Sequence, residues 1–214
     1  MNGNVLRVGG LAGILAGVFV VVGLIVFAAF PPAASPEEQL ANFADNQVTS
    51  AVTIDLFLVA FLLALVFLGG LYWSLREPSR FFARIGLGSG VLSLILPLVA
   101  LQGLLVAAAA FAGMYADAAA ADRPVVVAAY GAVVTLLGAG NTSGFLLTGL
   151  ALVAFGFAMR GSPDFSEGLA WLSIILGIVV VLFTFLVFAP VAIIAIAVFL
   201  LVVGWKVYSL AGAT

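Results

Sequence analysis

No cysteine and no histidine occur anywhere in the 214 residues. The first absence rules out disulfides, thiolate metal sites, iron–sulfur clusters and a cysteine nucleophile. The second removes the commonest haem ligand, metal ligand and neutral-pH proton shuttle. Lysine occurs once, as Lys206 near the end of the last apolar segment, a poor place for a buried Schiff base. Charge is also scarce. Seven basic and nine acidic side chains make up 7% of the chain, where a soluble domain carries about a quarter. The net charge is −2 and no basic run exists, so nucleic acid is not an expected partner. No cofactor is expected either.

What fills the chain instead is apolar. Hydrophobic residues make up 65% of it, and mean hydropathy is +1.37. Uninterrupted apolar stretches of about twenty residues, the length a bilayer core asks of a helix, recur from end to end. They do not alternate apolar with polar residues, as transmembrane β-strands would. Helices therefore satisfy the backbone, and the expected fold is an all-α polytopic transmembrane bundle in contact with membrane lipids. One domain over 1–214 holds six spans, at about 8–30, 47–75, 85–114, 125–159, 169–189 and 191–210. The first run is too long for a signal-peptide core, and Phe30-Pro31-Pro32 is a poor cleavage site, so it reads as a retained helix.

Local signals refine this picture. Ser35-Pro36-Glu37-Glu38 has capping-box spacing with proline at the first helical position, which predicts a short interfacial helix over 36–43. Pro97 falls mid-helix, where a kink is expected. The fourth span is too long for one simple crossing, and Gly138-Ala139-Gly140-Asn141-Thr142-Ser143-Gly144 interrupts it, so that either a pre-helix lies at the outer interface or one long helix is broken there. Pro190 is read as halting the fifth helix, with a tight turn leading into the sixth.

Six spans with a cytoplasmic N-terminus place Arg7, Arg76, Arg80, Arg84, Arg160 and Lys206 inside and Arg123 alone outside. Tyr72, Trp73, Trp171, Trp205 and Tyr208 then form an inner aromatic belt. This orientation puts both termini in the cytoplasm, with the chain in a prokaryotic cell membrane. The segments Arg7–Gly13 and Arg84–Gly90 are alike, as three helical hairpin repeats would produce. The alternative is that any inside-to-outside helix begins with arginine and packs through glycine.

Thr53-Ile54-Asp55-Leu56, Leu71-Tyr72 and the basic loop after them resemble the second helix of an uncharacterised bacterial and archaeal six-helix membrane family, known only as a domain of unknown function. Gly144-Phe145-Leu146-Leu147, the stretch Met159-Arg160-Gly161-Ser162 and Gly168-Leu169 are similar to its fourth helix and following loop. The resemblance implies six helices in a cell membrane and brings no activity.

Among residues able to do chemistry, Asp55 stands out as a carboxylate inside an apolar segment, about 12 Å along its helix. A charge in the hydrocarbon costs about 2–3 kcal/mol, so Asp55 is expected to face the bundle interior or water. Gln102, Asn141, Thr142, Ser143 and Thr184 fall at a similar level. Together they form either an outward-opening polar pocket or interhelical hydrogen-bond glue. Gly9, Gly13 and Gly17 make a small-residue stripe, repeated at Gly86 and Gly90, that lets helices approach closely. Its partner is another helix of the chain, or a second subunit in a homo-oligomer or larger complex. No nucleophile–base set, P-loop or G-x-S-x-G is present, so no catalytic or metal-binding residue is assigned and an enzyme is not expected. The leading expectation is a non-catalytic accessory or scaffold subunit. The other is a carrier or receptor for a small or lipophilic molecule, held in the pocket around Asp55.

Overall fold

A computed structural model of the chain describes residues 3–28, 35–186 and 189–212. Over these residues the fold is all-helical and without strands. The helices are α1 (Gly3–Ala28), α2 (Pro36–Asp45), α3 (Gln47–Leu75), α4 (Arg80–Asp117), α5 (Arg123–Arg160), α6 (Glu167–Phe185) and α7 (Ala189–Leu210). All but α2 are long and apolar enough to cross a membrane.

Several boundaries differ from expectation, each for a local reason. The fourth span is not broken at 138–144, because α5 runs through it as one 38-residue helix. The hydroxyl of Thr142 donates to the Gly138 carbonyl (3.0 Å) and that of Thr148 to Gly144 (3.0 Å), so these side chains add to the helix rather than compete with it. Of its glycines, Gly144 serves packing, buried against Pro97. α4 is longer than expected at both ends and continues through Pro97. Pro190 does not halt the fifth helix; α6 ends at Phe185, and Pro190 lies in the first turn of α7, where its missing N–H costs nothing. The first helix begins at Gly3 rather than at residue 8, and Phe30-Pro31-Pro32 lies outside the described residues.

The amphipathic α2 forms as its cap dictates, with Ser35 Oγ accepting from the Glu38 N–H at 3.2 Å. It does not lie alone on an interface. Leu40 is buried with Ala108 of α4 and Tyr130 of α5, flanked by Phe43, Phe111 and Tyr115. This cluster is separate from the main core, which draws on the six long helices.

Those six close into a ring in chain order, with α7 returning to α1. The contacts are uneven. α1 packs extensively on both α3 and α7, and α5 packs extensively on both α4 and α6. The seams α3–α4 and α6–α7 are thinner, so the expected hairpins merge into two trios, each built round a central helix. Glycine explains both centres. A Cβ added at Gly9 would lie 2.8 Å from Gly70 Cα of α3, and one at Gly204 of α7 would lie 2.9 Å from the Ile14 nitrogen. In the other trio a Cβ on Gly177 of α6 would lie 2.6 Å from the Gly149 carbonyl oxygen of α5. In an apolar solvent, van der Waals contact between close backbones is a main source of helix association.

Candidate functional site: the outer ends of the helices

The polar residues singled out in the sequence do gather at one level, but they do not enclose a pocket. Asp55 is exposed on the outward side of α3, in line with exposed Val52, Val59 and Leu62. No described residue pairs with its carboxylate. Thr142 and Ser143 are exposed, while Gln102, Asn141 and Thr184 are half-buried. Thr184 donates to the Val180 carbonyl of its own helix at 2.6 Å. Asp55 faces away from the ring and, unlike Asn141, lines no part of the central cavity.

A cavity does exist, deeper in the ring between the two trios. Its volume is about 80 Å³, and of the six polar-pocket candidates only Asn141 lines it. Phe61, Phe67, Phe145, Phe155 and Phe199 supply much of the apolar wall. An apolar cavity that holds benzene measures about 150 Å³, so this one is roughly half the size a single aromatic ring needs.

Close contacts fix the vertical register of the helices and show why the polar residues share a level. Gly149 meets Gly177, so the end of α6 at Phe185 lies level with Asn141 of α5. Gly103 meets Leu137, which sets Gln102 at the same height. Gly23 meets Phe57, so α1 ends within about one turn of Asp55. Gly13 meets Gly204, which starts α7 at the height where α1 stops. The polar residues thus mark the plane at which three of the six long helices end.

Opposite this plane, about 31 Å below Asp55 along α3, stands Arg76, its guanidinium stacked 3.4 Å from the Trp73 ring. Arg160 lies about 28 Å below Asn141 along α5, over Trp171 at 4.9 Å. Both spans match the roughly 30 Å hydrocarbon thickness of a bilayer.

Among the described residues only α3, α4 and α5 of the long helices project past the polar plane, α4 by about 22 Å and α5 by about 27 Å. They carry α2 with them and make a small unit around Leu40 at that end of the molecule, the outer end in the orientation expected from the basic residues. Within it the Tyr115 hydroxyl donates to Glu37 Oε1 at 2.5 Å, and the Arg123 guanidinium lies 5.1 Å from the Tyr115 ring. α2 covers one side, where the Pro36 ring would lie 3.3 Å from a Cβ on Gly131. On α5 the residues Val125, Ala129, Ala132, Leu136 and Ala139 are all exposed. They recur at spacings of four and three, so they form one uncovered stripe. Val125 is 70% and Leu136 74% exposed, and on α4 Val106 is 68% and Met114 54% exposed. Nothing in the sequence signalled this face, because its residues look like ordinary membrane-span residues until the register shows where the other helices stop.

No protein-family model, curated protein or solved structure matches the chain. The site geometry therefore stands as the basis for a functional reading.

One consequence concerns Asp55. An exposed carboxylate without a partner among the described residues contributes little, so Asp55→Asn should change stability by no more than about 0.5 kcal/mol. Denaturation of the purified variant would check this, and a loss of several times that size would mean that the carboxylate is held by something in the bundle.

Proposed function

We propose that this chain is a non-catalytic membrane subunit whose bundle is an anchor and whose outer unit presents an apolar face to another protein. One observation carries the reading: the α5 stripe around Val125 and Ala132 is exposed above the plane where α1, α6 and α7 end. Apolar surface in water that is rimmed by polar residues marks an interaction site. The small size of the central cavity speaks against a carrier for a substrate of ordinary size. The split of basic residues supports a cytoplasmic N- and C-terminus in a prokaryotic cell membrane.

Two experiments test this. The chain has no cysteine, so Ser35→Cys and Ser79→Cys report cleanly on topology. They should react with an impermeant maleimide from opposite sides of sealed vesicles; reaction from one side would end the six-span reading. Gentle extraction from the native membrane should give a complex larger than the monomer. That complex should be lost when Val125→Ser and Ala132→Gln are combined. A monomer in both cases, or a complex indifferent to the change, would contradict the proposal.

A further inference from the structure

The charge at the end of the molecule that carries the uncovered stripe says what kind of partner fits it, and Asp122 stands in line with the stripe, three residues before Val125. Six of the nine carboxylates, Glu37, Glu38, Asp45, Asp55, Asp117 and Asp122, are exposed at the outer end of the molecule, against a single cation, Arg123. The Arg123 side chain lies beside the Tyr115 ring, and Tyr115 in turn holds Glu37. The apolar stripe on α5 is straight over about four turns, from Val125 to Ala139, and has the spacing that an opposing helix meets.

Resting on the assembly reading above, we infer that the occupant of this face is an amphipathic helix of a partner protein, apolar on one side and flanked by lysine or arginine. A second copy is the wrong partner by charge, since it would set two acidic rims against each other. Anionic lipid headgroups are repelled for the same reason. A basic helix gains on both counts: its apolar side covers Val125, Ala129 and Ala132, and its flanks meet the carboxylates. Such interfaces associate faster at low salt, because complementary charge steers the encounter.

The test uses the full chain in phosphatidylcholine nanodiscs and two dye-labelled synthetic helices of about five turns. Both carry the same leucine–alanine face; one is flanked by lysine and the other by glutamate. Binding is read by fluorescence anisotropy against empty discs. The lysine-flanked helix should bind at least tenfold tighter than the glutamate-flanked one. Raising the salt should weaken it, and Val125→Ser combined with Ala132→Gln should weaken it at least tenfold while leaving the melting temperature unchanged. Equal binding of the two helices, equal binding to empty discs, or indifference to the double variant overturns the inference. Energy transfer between two labelled copies separates the remaining cases. Self-association that the double variant abolishes keeps the assembly reading and overturns the basic partner. No association with either helix or with a second copy overturns both.

Discussion

Gly144→Ala is expected to destabilise the bundle by about 3 kcal/mol or more, at or above the upper end of ordinary overpacking. A Cβ at Gly144 would lie 2.5 Å from Pro97 Cδ and 3.2 Å from the Ser93 carbonyl oxygen. Neither obstacle is a flexible side chain that could swing away, so α4 and α5 must move apart. That contact also sets the register of the trio built round α5. Gly138, about two turns away on the same helix, is the internal control: nothing lies within 4 Å of an added Cβ there. Gly138→Ala should be neutral or stabilising by up to about 1 kcal/mol, since alanine is the better helix former. Thermal or denaturant unfolding of the two variants should therefore move in opposite directions, or the first alone should move. Similar small effects at both positions would mean that α4 and α5 are not packed through Pro97.

Gly10→Ala should be comparably damaging in the other trio. The added Cβ would lie 2.5 Å from Tyr208 Cα and 2.6 Å from Tyr208 Cβ, so the backbone of α7 stands in the way. Prising α7 off α1 also disturbs the buried Phe67–Phe199 pair, whose rings meet edge-on at 5.9 Å. Gly13→Leu strikes the same seam, against Phe67 and Gly204. The loss should again be about 3 kcal/mol, and limited proteolysis should cut first in the C-terminal helix. Gly69→Ala, with open space around it, should leave both readouts unchanged. Equal tolerance of Gly10→Ala and Gly69→Ala would contradict the α1–α7 contact.

These glycines show what the sequence could reveal and what it could not. The stripe Gly9, Gly13 and Gly17 announced a close approach, because small residues at four-residue spacing have few other uses in an apolar helix. Which helix it meets is a matter of tertiary pairing, and the answer lies in Gly70, Phe67, Gly204 and Leu201 on α3 and α7. Span count and the α2 cap were legible from hydropathy and from Ser35-Pro36. The break at 138–144 was misread because Thr142 and Ser143 look like turn formers. A threonine hydroxyl can instead fold back on its own helix, as those of Thr135 and Thr142 do. The level of Asp55 was not legible for a different reason. Depth counted from the start of α3 assumes that the helix begins at the membrane edge, whereas α3 starts about 12 Å beyond the plane where α1, α6 and α7 end.

Everything proposed for the outer unit depends on that plane. Single cysteines at Ala132, in the exposed stripe above it, and at Ile95, exposed about 10 Å below Gln102, place it directly. In intact cells or sealed vesicles, Ala132→Cys should react with an impermeant maleimide added outside, while Ile95→Cys should stay unlabelled until detergent is added. Protection of Ala132→Cys in the intact membrane would put the stripe in lipid and contradict the account.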